Sequence, residues 1–336
     1  MIQKLSSTLL AVCVDAELGG SVVRIQDRSS GRRILAETPW NQQCSRTAPL
    51  PAGSGMSAWL ERYPGGWQEL LPNAGPALPV DGVEQTWHGE ASLSPFEITN
   101  LSSHAVSMRR DLVAAPLQIN RTIAVQDDQV SVTDRIRQTG SAPYRFLWQH
   151  HAAFGADLLG GPCRLRFCGL SLLQQQADGS HAERAWTVSD AYDLCEPRST
   201  LDCVRQLPSR AWAGLQQVDG YSRDPLCAVL AWDGSLFPLL WLWQETGGSK
   251  AAPWFGRFRA MGLEPAQSWP VTGLAGLHRA AHGGGTLLEP GQQIETTVAL
   301  KVGASTPEAL LAEVDRAGWP STHLSGPQNS PGELHG

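Results

Sequence analysis

Ile119-Asn120-Arg121-Thr122-Ile123-Ala124-Val125-Gln126-Asp127-Asp128-Gln129-Val130-Ser131-Val132-Thr133-Asp134-Arg135-Ile136 contains two runs, Ile119 to Val125 and Val130 to Ile136, that alternate with a period of two on either side of Asp127 and Asp128. That period puts successive side chains on opposite faces of an extended chain, so the segment reads as two β-strands about a turn. The same period recurs outward in both directions. Ile294, Thr296, Val298 and Leu300 line one face of a late strand. Gly19 to Asp27 alternates and is followed by the polar turn Arg28-Ser29-Ser30-Gly31-Arg32 before Ile34 and Leu35, which predicts a hairpin. Leu226 to Trp243 is the most apolar stretch, but Asp233, Gly234 and Pro238 divide it into two strands about a turn, too broken to cross a bilayer.

Composition agrees with an all-β chain. Of 336 residues, 42% are apolar and only 17% charged, with Gly 34 and Pro 23, a balance that suits many turns and few long surface helices. The length exceeds a typical single domain, but large β-sandwiches run this long as one unit, and no linker or repeat divides the chain. One domain is expected over residues 1–319. One helix stands out near the C-terminus: Thr306 as N-cap, Pro307 at the first position, Leu310, Leu311 and Val314 as the apolar stripe, and Gly318 as the stop. Residues 41–58 are rich in Pro, Gly, Ser and Ala without periodicity and read as a long loop ending at Trp59. Residues 320–336 are polar and aperiodic, and disorder is expected there.

The formal net charge is −6 and no Lys/Arg run occurs, so neither nucleic acid nor an anionic membrane is an expected partner. Cys 7, at positions 13, 44, 163, 168, 195, 203 and 227, show no C-x-x-C pair and read as reduced thiols. The apolar run Leu9 to Val14 is stopped by Asp15 before it could serve as a signal core, and a cytoplasmic location is expected. Neither a P-loop, nor a dinucleotide fingerprint, nor a G-x-S-x-G elbow is present.

Trp 13 is the most unusual count. Several of these indoles stand beside hydrogen-bonding side chains: Trp67 before Gln68 and Glu69, Trp87 before His88, Trp148 before Gln149 and His150, Trp243 before Gln244 and Glu245. Flat apolar faces next to polar tips suit a sugar, whose C–H faces stack and whose hydroxyls need directional partners.

A family resemblance runs through these segments in order. Gly19-Gly20 with Asp27 and Gly31-Arg32, Tyr63-Pro64-Gly65-Gly66-Trp67, Trp87-His88-Gly89-Glu90, Trp148-Gln149-His150-His151-Ala152-Ala153-Phe154-Gly155, Gly262-Leu263-Glu264-Pro265 and Leu288-Glu289-Pro290-Gly291 together resemble the aldose 1-epimerase (galactose mutarotase-like) superfamily over nearly the whole chain. The resemblance implies a large antiparallel β-supersandwich with a sugar cleft, an isomerase that interconverts the anomers of a small sugar, and no cofactor. It implies Glu264 as general base, His151 as the acid toward the ring oxygen, and His88 as a group that binds and polarises substrate. Trp67, Gln68, Arg62, Asn73, Trp148 and Gln244 are the further substrate-binding candidates. Two departures stand out. The Gly-Arg-x-x-Asn-Arg segment of galactose-specific members is absent, with Arg62, Gln68 and Asn73 in the comparable stretch, and the sugar-binding aspartate has two candidates, Asp193 and Asp219.

His150 and His151 are neighbours, so on a strand they face opposite sides and only one can enter a cleft; the resemblance, in which a histidine stands three residues before an aromatic, favours His151 by its spacing to Phe154. His278 and His282 have helical metal-ligand spacing, but Gly283-Gly284-Gly285 follows and no third ligand is spaced with them, so no metal site is expected. Two other functions compete. A glycoside-processing enzyme would need a second carboxylate across the cleft from Glu264, drawn from Glu69, Glu90, Glu97 or Glu245. A non-catalytic sugar-binding protein would keep the sandwich without the chemistry. Arg62, Arg257 and Arg259 lie near the candidate segments and would suit an anionic sugar.

Overall fold

The computed structural model describes residues 2–41, 50–80, 82–155, 157–187, 192, 194, 196–218, 225–269, 273, 274 and 284–326. Among these, two large antiparallel sheets lie face to face. The ten-stranded sheet runs, edge to edge, Ile2–Ser6, Leu10–Asp15, Ser21–Asp27, Trp67–Leu70, Gln149–Gly155, Arg259–Ala266, Leu239–Thr246, Ser199–Arg205, Ser171–Gln175 and His181–Ala185. The nine-stranded sheet runs Cys163–Phe167, Arg210–Gln217, Cys227–Asp233, Gln293–Gly303, Gln129–Gln138, Leu117–Gln126, Ala105–Asp111 and Glu97–Leu101, with Thr322–Ser325 beside Gln293–Gly303. This is the expected all-β sandwich.

The segment 119–136 forms a hairpin in the second sheet. Val125 faces Val130, Ile123 faces Val132 and Ile119 faces Ile136. The chain reverses at Asp127, whose φ of 50° lies in the left-handed region that Asp tolerates better than most residues. The inward row of this hairpin also carries Arg121 opposite Asp134, an ion pair sealed among the apolar residues.

The main core fills the space between the sheets, where Phe154, Met261, Leu263 and Leu242 of the first sheet meet Ile119, Ile123, Val132 and Leu300 of the second. The opposite face of the ten-stranded sheet carries a second cluster that includes Trp59, Tyr63, Ala153, Trp241, Phe258 and Ala260. The candidate site lies on that second face.

One expectation holds with an unexpected placement, and two change. Cys227–Asp233 and Leu239–Thr246 are two strands about a turn, but they belong to different sheets, so the turn at Gly234–Pro238 crosses the sandwich instead of closing a hairpin. The stretch 41–58 is not loop throughout: Met56–Leu60 is a short helix that buries Trp59. Disorder does not begin at Pro320, because Thr322–Ser325 pairs with Gln293–Thr296, satisfying backbone groups on an exposed sheet edge. Residues 327–336 lie outside the described residues.

The C-terminal helix spans Pro307–Ala317. The Thr306 hydroxyl accepts from the Ala309 N–H at 3.3 Å and Gly318 follows with φ 108°. Pro307, Leu310 and Val314 are buried, Leu310 against Cys227 and Val229 on the outer face of the nine-stranded sheet. Thr306→Ala should therefore cost about 1 kcal/mol. Urea unfolding checks this, and no change in midpoint would show that the cap is idle.

Candidate active site

The site is built on two adjacent central strands. Gln149–Gly155 and Arg259–Ala266 pair antiparallel, with Gln149 opposite Ala266 and Ala152 opposite Leu263. That register sets His151 against Glu264, and the alternation of each strand turns both toward the second face. Trp241 flanks Glu264 on the other side. His151 Nε2 lies 3.5 Å from Glu264 Oε1. Glu264 Oε2 accepts from Gln149 Nε2 at 2.7 Å, which fixes the carboxyl plane. A side chain at Gly262 would overlap Glu264 Oε1, so the bare glycine makes room for the carboxyl group.

Burial governs the charge state of this pair. It pushes the Glu264 carboxyl up to about 8, against the opposing hydrogen bond from Gln149, and pushes His151 down to about 4. Near neutral pH the pair therefore holds one proton, on the carboxyl group. Glu264 Oε1, His151 Nδ1 and the Tyr63 hydroxyl are buried without hydrogen-bond partners among the described residues. Burial and the Glu264 charge both raise the Tyr63 hydroxyl well above its ordinary value, so it stays a donor. Unpartnered polar atoms converging in one place mark a surface shaped for a ligand.

His88 comes from the loop before the 3₁₀ turn Glu90–Leu93. Its φ is 61°, and Gly89 follows with φ 78°, where any side chain would meet the Leu71 carbonyl. A bulky residue held in the left-handed region is a local strain found preferentially at functional sites. His88 Nδ1 accepts the Gly75 N–H at 3.1 Å, which leaves Nε2 as the nitrogen that carries hydrogen. Burial first, and then His151, hold its pKa well below the ordinary value, so the ring is neutral. Its centroid lies 5.8 Å from that of His151.

Glu264, His151 and His88 line a cleft of about 500 Å³, within the range of small-molecule sites. Trp59, Trp87, Trp241, Trp243 and Trp254 line it, with Gln175, Ser199 and Ser249 among the polar residues. Among the described lining residues Glu264 is the one carboxylate, facing the histidines His88 and His151.

The remaining candidates lie elsewhere, for a reason of parity. Trp67, Trp148 and Gln244 occupy the alternate positions of their segments and point away from the cleft. Trp67 Nε1 donates to His150 Nδ1 at 3.2 Å, and the Trp148 ring N–H donates to Glu69 Oε1, both between the sheets. Gln244 is fully buried and donates to Thr246 Oγ1 at 3.3 Å. Gln68 is opposite His151 but donates to the Gly65 carbonyl. Asn73 ties the His88 loop together: its amide donates to the Pro76 and Thr86 carbonyls at 2.8 and 3.2 Å and accepts from Leu274 N–H at 2.7 Å. Arg62, in the turn after Met56–Leu60, is not among the described lining residues, nor are Arg257 and Arg259. Asp193, Asp219, His278 and His282 lie outside the described residues.

Trp59, Tyr63, Gln149, Trp241, Trp243 and Trp254 were not among the substrate-binding candidates, although Trp243 stood out in the sequence as an indole beside polar side chains. A signal existed for some of them: Trp241 and Trp243 are two apart on a strand, as are Gln149 and His151, and such pairs share a face.

Among the described residues one group approaches metal-ligand geometry: Glu69, Asp134 and His150, all buried between the sheets. Arg121 already lies there. Its Nε donates to Asp134 Oδ1 at 2.7 Å and its Nη2 pairs with Glu69, so a guanidinium supplies the cation.

Solved structures share this architecture. The chain is similar to the Slr1438 protein of Synechocystis sp. PCC 6803, with TM-score 0.68 and 17% identity over 91% of this chain and 96% of that one. It is similar to a galactose mutarotase related enzyme of Lactobacillus acidophilus, with TM-score 0.66 and 11% identity over 91% and 98%. The fold is galactose mutarotase-like. A galactose mutarotase-like protein of Clostridium acetobutylicum gives TM-score 0.60 and 13% identity over 89% and 94%. At these identities the mutarotase-like likeness concerns the fold alone. No protein-family model and no curated protein matches the chain. Within the mutarotase-like sandwich, no helix among the described residues is long and apolar enough to cross a membrane.

Proposed function

We propose that the chain is an aldose 1-epimerase that interconverts the α and β anomers of a sugar bound in the cleft. The observation that carries this reading is the buried Glu264–His151 pair, 3.5 Å apart on the cleft face and holding one proton. Opening a hemiacetal ring removes the proton from O1, delivers one to the ring oxygen, breaks the C1–O5 bond and forms C1=O1. A carboxyl–imidazole pair with one proton can do both at once. In its imidazolium–carboxylate arrangement Glu264 takes the O1 proton and His151 protonates the ring oxygen. The pair then holds the proton on Glu264, ready for closure on the other face of the aldehyde after rotation about C1–C2. His88 Nε2–H and the Tyr63 hydroxyl are donors for sugar oxygens, and Trp59 offers a face for the ring.

Of the competing functions, a glycosidase gains no support from the cleft, where among the described lining residues histidines rather than a second carboxylate face Glu264. The test is exchange spectroscopy on anomeric proton signals across a panel of neutral aldoses. Exchange of at least one sugar should accelerate, with a bell-shaped pH profile. The rate should fall below about pH 4, where both groups are protonated, and above about pH 8, where neither is. No acceleration for any aldose would remove the reading and leave sugar binding without turnover.

A further inference from the structure

The cleft extends beyond what the reacting pair requires. Its aromatic wall runs from His151 to Trp243, ring centroids 5.5 Å apart, and from Trp243 to Trp254, a further 5.7 Å. Trp254 is clamped from behind, stacked on Phe258 at 4.8 Å and tilted on Trp40 at 5.2 Å. Trp243 and Trp254 are both only partly buried, and both line the cleft.

Their ring N–H groups set these two indoles apart from Trp40, Trp59 and Trp241. Packed indoles normally donate to a protein acceptor. Trp40 donates to the Leu60 carbonyl at 2.8 Å, Trp59 to Ser92 Oγ at 2.9 Å and Trp241 to the Ser268 carbonyl at 2.7 Å. No acceptor for Nε1 of Trp243 or Trp254 is seen among the described residues. The two present a flat face and an unused donor side by side, in a wall whose position is set by the buried Glu245, which accepts from Gly247 and Ser249 N–H at 3.1 and 3.2 Å. The charge nearby is turned away. Lys250 Nζ donates to the Gly247 carbonyl at 2.8 Å, and the Arg257 guanidinium lies over Phe255 at 5.4 Å.

We infer that Trp243 and Trp254 form an outer subsite for a second, uncharged pyranose ring, so that the cleft takes a neutral disaccharide with its reducing ring over Glu264 and His151. An equatorially substituted pyranose has the same two features in complement, an apolar C–H face for the indoles and hydroxyl acceptors for their N–H groups. The inference rests on the saccharide reading of the cleft and extends it to a substrate class.

Titration calorimetry with cellobiose, maltose and lactose against glucose and galactose tests it on the full chain. At least one disaccharide should bind about tenfold more tightly than the monosaccharide at its reducing end. Trp254→Ala should reduce that ratio to within about twofold of unity, and Trp254→Phe, which keeps the face and loses the N–H, should reduce it part-way. Disaccharides that bind no better than monosaccharides, or a preference that is undiminished in a folded Trp254→Ala or Trp254→Phe protein, would overturn the subsite. Anomer exchange followed on the same samples separates the two readings. A disaccharide preference without exchange keeps the subsite and removes the epimerase, and exchange without that preference does the reverse.

Discussion

Glu264→Gln should abolish anomer exchange while making the protein more stable at neutral and alkaline pH, and both effects have one origin. The Glu264 side chain is 2% exposed and its neutral form is favoured by burial, which lifts its pKa from 4.5 to about 8. Below pH 4.5 the carboxyl is protonated in the folded and unfolded states alike and imposes no penalty. Between 4.5 and about 8 the unfolded chain releases the proton while the folded one keeps it, so stability falls as pH rises, reaching a loss on the order of 5 kcal/mol above that range. Gln cannot ionise and still accepts the Gln149 amide hydrogen bond. The variant should therefore match the native protein near pH 4.5 and unfold at a progressively higher relative temperature up to pH 8, as followed by calorimetry. Exchange should drop by about 10³-fold, within the span of a lost general acid–base group. A variant that exchanges anomers at the native rate would remove Glu264 from the chemistry, and a stability gap that does not widen with pH would contradict its buried neutral form.

Arg121→Met should be the most destabilising single change at the heart of the sandwich. Arg121 is 2% exposed and its guanidinium serves Asp134, Glu69 and the Gly19 carbonyl, the last at 2.7 Å. Glu69 in turn accepts from the ring N–H of Trp148. Removing the one cation leaves two carboxylates buried between sheets, and breaking such a pair costs about 3–5 kcal/mol. Adding Glu69→Gln and Asp134→Asn to Arg121→Met should recover much of the loss, because the uncompensated charges go with them. Denaturant unfolding of the series checks both statements. A loss under about 1 kcal/mol for Arg121→Met would mean that water or a second cation reaches the cluster.

Strand by strand, much of the architecture was legible because side-chain alternation is local. The runs at 119–136 and Ile294 to Leu300 appear as the strands their period implies, and the helix from Pro307 appears with its cap and stop. Buried ions were not legible: Arg121 and Asp134 sit in the inward row of an otherwise apolar alternation, where residue type alone predicts exposure. At the site, Glu264, His151 and His88 come together, whereas Trp67, Trp148 and Gln244 do not. Proximity in sequence to a functional residue misleads on a strand, since the adjacent residue is the one certain to face the other way. Trp243 lines the cleft, and for that reason Gln244 does not.

From sequence alone, then, came the all-β class, the faces of individual strands and the requirement that only one of His150 and His151 enter a cleft. All of these follow from a two-residue period that needs no partner strand. Which strands lie side by side is a different kind of information. Gln149 donates to Glu264 across a separation of 115 residues, and the turn at Gly234–Pro238 passes from one sheet to the other instead of pairing its flanking strands. No local pattern encodes such neighbours, because register between distant strands is chosen by how two whole sheets bury their apolar faces against each other. Tertiary structure therefore decided that His151 and Glu264 are cross-strand neighbours, that burial leaves them one proton to share, and that tryptophans stand beside them.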